Sequence, residues 1–139
     1  MGAILRSVDG AGADGLIRQA RRAAPLDGAT ARASAGAVAH VRIATVVNIA
    51  RTLEELKALN VWTIGRDASA PDDYTEVDYT QPTAFVVGAE GTGLRRLVRE
   101  TCDRLVGIPM KGGVSSLNVS VSAGIVLFEA ARQRRRAKP

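Results

Sequence analysis

Aromatic side chains are scarce, with two Phe, one Trp and two Tyr making up 4% of 139 residues. A core with so few rings must be filled by Val, Ile, Leu and Ala, the composition of a parallel sheet covered by helices. A single cysteine, Cys102, excludes an internal disulfide. It falls four residues after Val98 on an apolar stripe, which reads as a buried, unreactive thiol. The only histidine, His40, has no acidic cluster at ligand spacing around it, so it reads as a surface or loop residue and no metal is expected. No apolar run is long enough to span a bilayer, and the opening MGAILRSVDGAG has neither the basic start nor the long apolar centre of a signal peptide. The expectation is a reducing, cytoplasmic compartment and no membrane partner.

What is present fits one globular domain over 1–139, with 46% hydrophobic and 24% charged residues, close to globular averages. The formal net charge is +5, concentrated in RLVRETCDR and in a basic tail at about 132–139, RQRRRAKP. Clustered positive charge favours an anionic partner, RNA before membrane, because no amphipathic anchor with large apolar rings accompanies it. A solvated basic end is the plainer alternative.

Short apolar runs, ADGLIR, HVRIATV, NVWTIGR, TAFVVG and RLVGIP, are bounded by Gly, Pro, Asp or Asn, as buried strands are. Helical patterns lie between them. In NIARTLEELKALN, Ile49, Leu53, Leu56 and Asn60 share a face, with Asn48 placed to start the helix and Asn60 to end it. In TGLRRLVRETCDR, the apolar stripe is Leu94, Leu97, Val98 and Cys102, leaving Arg95, Arg96 and Arg99 together on a basic face. The segment LDGATARASAGAVAH reads as a loop with a short helix, and RDASAPDDYTEVDYTQP as a surface connection. GAILRSVDGAGADGLI opens as a helix leading into a strand. The alternation argues an α/β domain with a mainly parallel sheet flanked by helices.

Chemistry concentrates in two glycine-bearing turns, each following a strand. AFVVGAEGTGLRRL is strand, glycine-rich turn and helix, which lets main-chain N–H groups approach a ligand. It lacks the Lys-Ser/Thr pair of a phosphate loop and the glycine spacing of a dinucleotide fingerprint. Glu90 stands between glycines at the carboxyl end of that strand, where ligands of α/β sheets sit; an acid complementing a helix start is the alternative. The second turn, IPMKGGVSSLN, runs into VSVSAGIVLFEAARQ, whose Ser120, Ser122, Ala123 and Gly124 let another backbone pass close. Lining of a site and simple capping by Ser115 or Ser116 are equally compatible with that polarity.

GAILRSVDGAGADGLI, FVVGAEGTGL and IPMKGGVSSLNVSVSAGIVLFEAARQR resemble, in order and spacing, the three motifs of the SpoU (TrmH-like) branch of SPOUT methyltransferases. The likeness covers essentially the whole chain and is greatest to the RlmB-type ribosomal RNA ribose 2′-O-methyltransferases. It implies a sheet whose C-terminal part is tied in a deep trefoil knot, a rare exception to the rule against knots. It also implies S-adenosyl-L-methionine bound in the knotted loops, with Gly88 beside it and Ile108, Met110 and Leu117 supplying main-chain contacts and apolar walls. Arg6, Glu90, Ser116 and Asn118 are the implied polar catalytic set, with Glu90 and Asn118 holding one another. Arg95, Arg96 and Arg99 would face RNA, and the protein would act as a homodimer through its knot-side helices. Relatives carry a strand and an Asp-Pro-x-Asn turn before the segment matching GAILRS, so an N-terminally shortened domain is expected. A transfer RNA methyltransferase and a non-catalytic RNA-binding or assembly module remain the alternatives.

Overall fold

The computed structural model describes residues 2–20, 36–37, 40–88 and 93–138. They fall into two compact units, Met1–Ile49 and Ala50–Pro139. All five expected strands are present, and every pairing among them is parallel.

In the first unit, helix α1 (Gly2–Ala11) buries Leu5 and Val8, one turn apart. It stops at Gly12, whose φ of 73° admits the left-handed conformation. There Gly12 N–H donates to the Asp9 carbonyl and Ala13 N–H to that of Val8, the paired bonds of a Schellman stop. Strand β1 (Gly15–Gln19) then pairs with β2 (Arg42–Val46), from Gly15 opposite Arg42 to Gln19 opposite Val46. His40 is exposed in the turn before β2. Most of LDGATARASAGAVAH lies outside the described residues.

The second unit is built on strands β3 (Trp62–Arg66), β4 (Thr83–Val86) and β5 (Arg104–Val106), in the order β4-β3-β5. Helix α2 (Ile49–Ala58) leads into β3 and ends as its sequence suggests. Asn60 takes φ 63°, its N–H bonds the Lys57 carbonyl, and Val61 N–H bonds that of Leu56. Helix α3 (Arg96–Thr101) joins β4 to β5, and helix α4 (Val119–Ala137) closes the chain.

The two faces of β3 do different work because side chains alternate along a strand. On one face a β-carbon added to Gly65 would lie within 3 Å of the ends of the Leu94, Cys102 and Leu105 side chains, which would have to shift to admit it. Thr63 shares that face and locks β3 to the α3–β5 turn. Its N–H and hydroxyl both donate to Asp103 Oδ2, at 2.9 and 3.0 Å, and its hydroxyl accepts from Asp103 N–H at 2.9 Å. On the other face Ile64 packs with Val77, Tyr79, Val106 and Ala130 of α4, with Phe85 against the Tyr79 ring edge-on at 5.0 Å.

Two expectations need correction here. RDASAPDDYTEVDYTQP is no mere surface connection, since Val77 and Tyr79 (0% exposed) belong to the core. Gln133 of α4 places them: its amide oxygen accepts from Tyr79 N–H at 2.8 Å and its amide nitrogen donates to the Val77 carbonyl at 2.9 Å. Helix α3 is also shorter than its pattern suggested, beginning at Arg96. Leu97 is 62% exposed, and Thr101, bonded back to the Leu97 carbonyl, takes the buried position instead.

The direction of α4 follows from its contacts. Ala130 lies over Ile64, while Arg134 donates to the carbonyls of Tyr79 and Gln81, just ahead of the start of β4. The C-terminal half of α4 therefore covers the amino edge of the sheet, and its first turns lie toward the carboxyl edge.

Candidate functional site

Parallel strands send all their following loops off one edge, and in such sheets that edge is where ligands bind. Gly65 pairs with Val86 on one side and Leu105 on the other. Gly88 and Gly107, each two residues further on, are thus separated by two ladder steps, about 10 Å. The loop after β3 lies between them.

Gly88 is the tightest point. A β-carbon there would fall 2.1 Å from the main chain of Gly93 and 2.5 Å from Leu94 N, distances no real side chain occupies. Gly93 itself has φ 66°. The glycine-rich turn thus folds back so that its two ends touch main chain to main chain, which only this residue type permits. Glu90 lies outside the described residues, so its expected pairing with Asn118 does too.

The loop after β3 is fixed by its first residue. Asp67 N–H bonds the Val106 carbonyl at 2.9 Å, and its carboxylate accepts from Ser69 N–H and hydroxyl, both at 2.9 Å. The Ser69 main-chain bond, with Arg99 beside it, holds this carboxyl below the ordinary aspartate range. Arg99 Nε lies 2.7 Å from Asp67 Oδ2. The expected basic face is accordingly divided: Arg99 ties α3 to the site edge, Arg96 pairs with Glu100 at 3.0 Å on an exposed surface, and Arg95 occupies the N-cap position without a side-chain capping bond.

After β5, Gly107 seals the loops together. Its N–H bonds the Asp72 carbonyl, its own carbonyl accepts from Tyr74 N–H, and a β-carbon on it would lie 2.8 Å from the Ala70 carbonyl oxygen. Ile108 and Leu117 are half-buried, Met110 and Ser116 exposed. Among the described residues, the main chain from Ile108 to Leu117 makes no backbone hydrogen bond. The capping question is settled against Ser115 and Ser116. Asn118 caps α4, its side-chain oxygen accepting from Ser120 N–H at 2.8 Å.

Two polar residues missed by sequence reasoning lie at this edge. Arg66, the last residue of β3, has Nε and Nη2 buried without a hydrogen-bond partner, and Ser122, in the first turns of α4, has a buried hydroxyl in the same condition. Ser122 could be noticed only as a small residue suited to close packing. Arg66 carried one signal, a charge closing an otherwise apolar strand. Cys102 is half-buried, and burial with Asp103 nearby pushes its thiol up to about 11, so it is protonated at neutral pH and no nucleophile.

Comparison with known proteins gives this edge a context. The model of the SpoU rRNA Methylase family matches residues 1–128. The chain belongs to the SpoU family. It is 50% identical over 134 residues to the 23S rRNA (guanosine-2′-O-)-methyltransferase RlmB of Ralstonia nicotianae, covering 96% of this chain and 54% of that protein. Identity to the Vibrio parahaemolyticus RlmB is 47% over 138 residues, 99% of this chain and 56% of the relative. The chain thus spans about half the length of the curated relatives it matches. Among solved structures, the SpoU methyltransferase AviRb from Streptomyces viridochromogenes, in complex with AdoMet, superposes with a TM-score of 0.89 at 34% identity. That match covers 98% of this chain and 56% of AviRb, so the α/β fold with parallel sheets flanked by helices is that of SpoU enzymes.

The site's chemistry suits such a nucleoside cofactor. Close main-chain packing at Gly88, main-chain groups after Gly107 that make no backbone hydrogen bond among the described residues, and half-buried Ile108 and Leu117 are the kind of lining that can hold an adenine by its edge and faces. Among the described residues, no three His, Cys, Asp or Glu gather as metal ligands, and no helix is long and apolar enough to cross a membrane.

Proposed function

We propose that this protein is an S-adenosyl-L-methionine-dependent RNA ribose 2′-O-methyltransferase acting on ribosomal RNA. The observation that carries the reading is the Gly88–Gly93 crease at the carboxyl edge, in a chain half identical to ribosomal RNA methyltransferases. The whole of 1–139 works as one SPOUT domain, with the C-terminal segment knotted through the loops at 88–93 and 108–118. Gly88, Ile108, Met110 and Leu117 bind the adenosine. When bound, the cofactor supplies a methyl group activated by its positive sulfur.

The chain's task is to bring a ribose 2′ oxygen in line with that methyl and to stabilise the oxygen as its proton leaves. Arg6, exposed on α1, contacts the target ribose or its phosphate. A guanidinium stays protonated in proteins, so Arg6 acts by lowering the hydroxyl's pKa and not as a base. Asn118 has its side-chain oxygen committed to the α4 cap, which leaves its amide N–H groups to orient the nucleotide alongside Glu90 and Ser116. Arg95 and the tail arginines Arg135 and Arg136 attract the RNA backbone.

The protein works as a homodimer in the cytoplasm. Val121 and Phe128, 49% and 48% exposed and two turns apart on α4, give a self-complementary apolar stripe for that pairing. Labelled methyl transfer to ribosomal RNA tests the function. Wild-type protein should transfer label, and Arg6→Ala and Asn118→Ala should lose transfer while remaining folded; unchanged transfer in both removes the residue assignments. Transfer to transfer RNA alone would move the substrate class. Salt-sensitive RNA binding without any heat on titration with the cofactor would make the chain a non-catalytic module.

A further inference from the structure

Trp62 is unexplained by the fold and by the proposed catalytic set. It is the only tryptophan in the chain, it opens the middle strand β3, and it is 46% exposed, where so large a ring is ordinarily covered. By alternation it shares the face of Ile64, on which Ala130 of α4 packs. Its main chain fixes what lies beside it. Trp62 N–H donates to the Pro82 carbonyl at 2.8 Å, and the Arg134 guanidinium donates to the carbonyl of Gln81, one residue earlier, at 2.9 Å. Consecutive Cα atoms are about 3.8 Å apart, so the tryptophan and the arginine-rich end of α4 meet at the amino edge of the sheet. Leu59, in the turn leading into β3, and Pro82 are exposed as well. From Trp62 to Asp67 is about 17 Å along the strand, which sets this surface apart from the carboxyl edge.

The charge beside this ring is left unneutralised. Arg134 spends its hydrogen bonds on the carbonyls of Tyr79 and Gln81 and pairs with no carboxylate among the described residues. Arg135 and Arg136, next in the helix, are exposed and equally unpaired there, whereas Arg132 is taken by Glu129. Asp78, the acid closest in sequence to those carbonyls, is already engaged by the N–H and hydroxyl of Thr80, at 2.9 and 2.6 Å. An exposed aromatic face beside uncompensated arginines is what single-stranded nucleic acid uses: phosphates follow the cations and an unpaired base lies on the ring. A duplex does not serve, because its bases are stacked on one another and offer no free face. A second copy of this chain fits less well. A two-fold contact sets a patch against itself, which here would bring the arginines of both copies together.

Resting on the RNA reading above, we propose that Trp62 is a stacking platform for an unpaired RNA base, with Arg134, Arg135 and Arg136 holding the phosphates beside it. Because Trp62 is the sole tryptophan, its own emission reports the contact. An unstructured single-stranded RNA of about 12 nucleotides should quench it saturably, while the same RNA annealed to its complement binds through phosphates with little quenching. Trp62→Ala should weaken single-strand binding, read by anisotropy of the fluorescently labelled RNA, on the order of 10-fold, with Trp62→Phe recovering most of the loss. Cofactor affinity by calorimetric titration should stay within about twofold of wild type in both variants, since the cofactor edge is distant. Wild-type protein that binds the single strand with unchanged emission would overturn the platform, whether or not Trp62→Ala folds. Equal quenching by strand and duplex would do the same. So would emission that responds to phosphatidylserine vesicles or to protein concentration and not to RNA, which would give the ring to a membrane or to a second copy. Methyl transfer that persists without RNA-dependent quenching removes this platform and leaves the function standing. Failure to bind the single strand at all also overturns the platform, and if cofactor binding and methyl transfer are absent too, the function falls with it.

Discussion

The two ends of α4 differ in how completely their polar groups are used. At the C-terminal half, Gln133 bonds Tyr79 N–H, the Val77 carbonyl and Glu129, Arg132 grips Glu129 through two nitrogens at 2.7 and 2.9 Å, and Arg134 bonds two further carbonyls. At the N-terminal half, Asn118 caps its own helix, Ser122 is left unbonded, and the preceding loop has its main chain free of backbone bonds among the described residues. One end is a finished clamp and the other is a surface waiting for chemistry. On the proposed reading, stability and binding fall at opposite ends of the same helix, so each should be open to separate damage.

Gly88→Ala should have the largest effect. A methyl group against the Gly93 main chain forces the crease open, costing about 3 kcal/mol or more of stability or, if the loop yields, cofactor binding. Paired melting and titration measurements will register one or both, and a variant normal in both would mean the crease is not rigid. Gln133→Ala breaks the clamp and leaves buried main-chain groups of Val77 and Tyr79 unsatisfied, for a loss of about 2 kcal/mol by denaturant unfolding. Its cofactor affinity should be unchanged; a matching loss of affinity would show that the two ends are not independent. Asn118→Ala removes the cap at a cost of about 1 kcal/mol, with methyl transfer falling far more than stability.

The clamp also sets an acid limit. The Arg132 hydrogen bonds, chiefly, and that of Gln133 hold Glu129 below the usual glutamate range against the opposing effect of burial. A folded pKa below the unfolded one gives stability that is present above about pH 4.5 and disappears as pH falls through the folded value. Melting temperature should therefore drop on acidification past that point, and Glu129→Gln should flatten the drop. An identical pH slope in that variant would exclude this carboxylate as its source. The smallest effect separates the arginines of α3. Arg99→Ala loses a partly exposed ion pair, worth about 0.5 kcal/mol, while Arg95→Ala leaves stability alone and reduces the salt dependence of RNA binding by about one counterion.

Much of the scaffold was legible because its signals are local. The apolar runs around Ile17, Ile43, Ile64, Phe85 and Leu105 each became a parallel strand, and Asn60 ended its helix by the left-handed turn its side chain tolerates. Tyr79 and Val77 were not legible. They sit in an acidic, turn-rich stretch with no periodicity, and their burial depends on Gln133, more than fifty residues away. Leu97 misled in the opposite sense, since helical spacing marks a face but not whether anything covers it. At the site, Gly88 could be picked out from its motif, though the reason it must be glycine is a long-range fact about Gly93. Arg66 was hidden because a charged residue closing a strand ordinarily means an exposed end.

The crease at Gly88 carries a practical corollary for anyone designing a blocking compound. Its walls are peptide units, identical in every residue, so a molecule shaped to that crease leans on atoms that point mutation cannot redecorate.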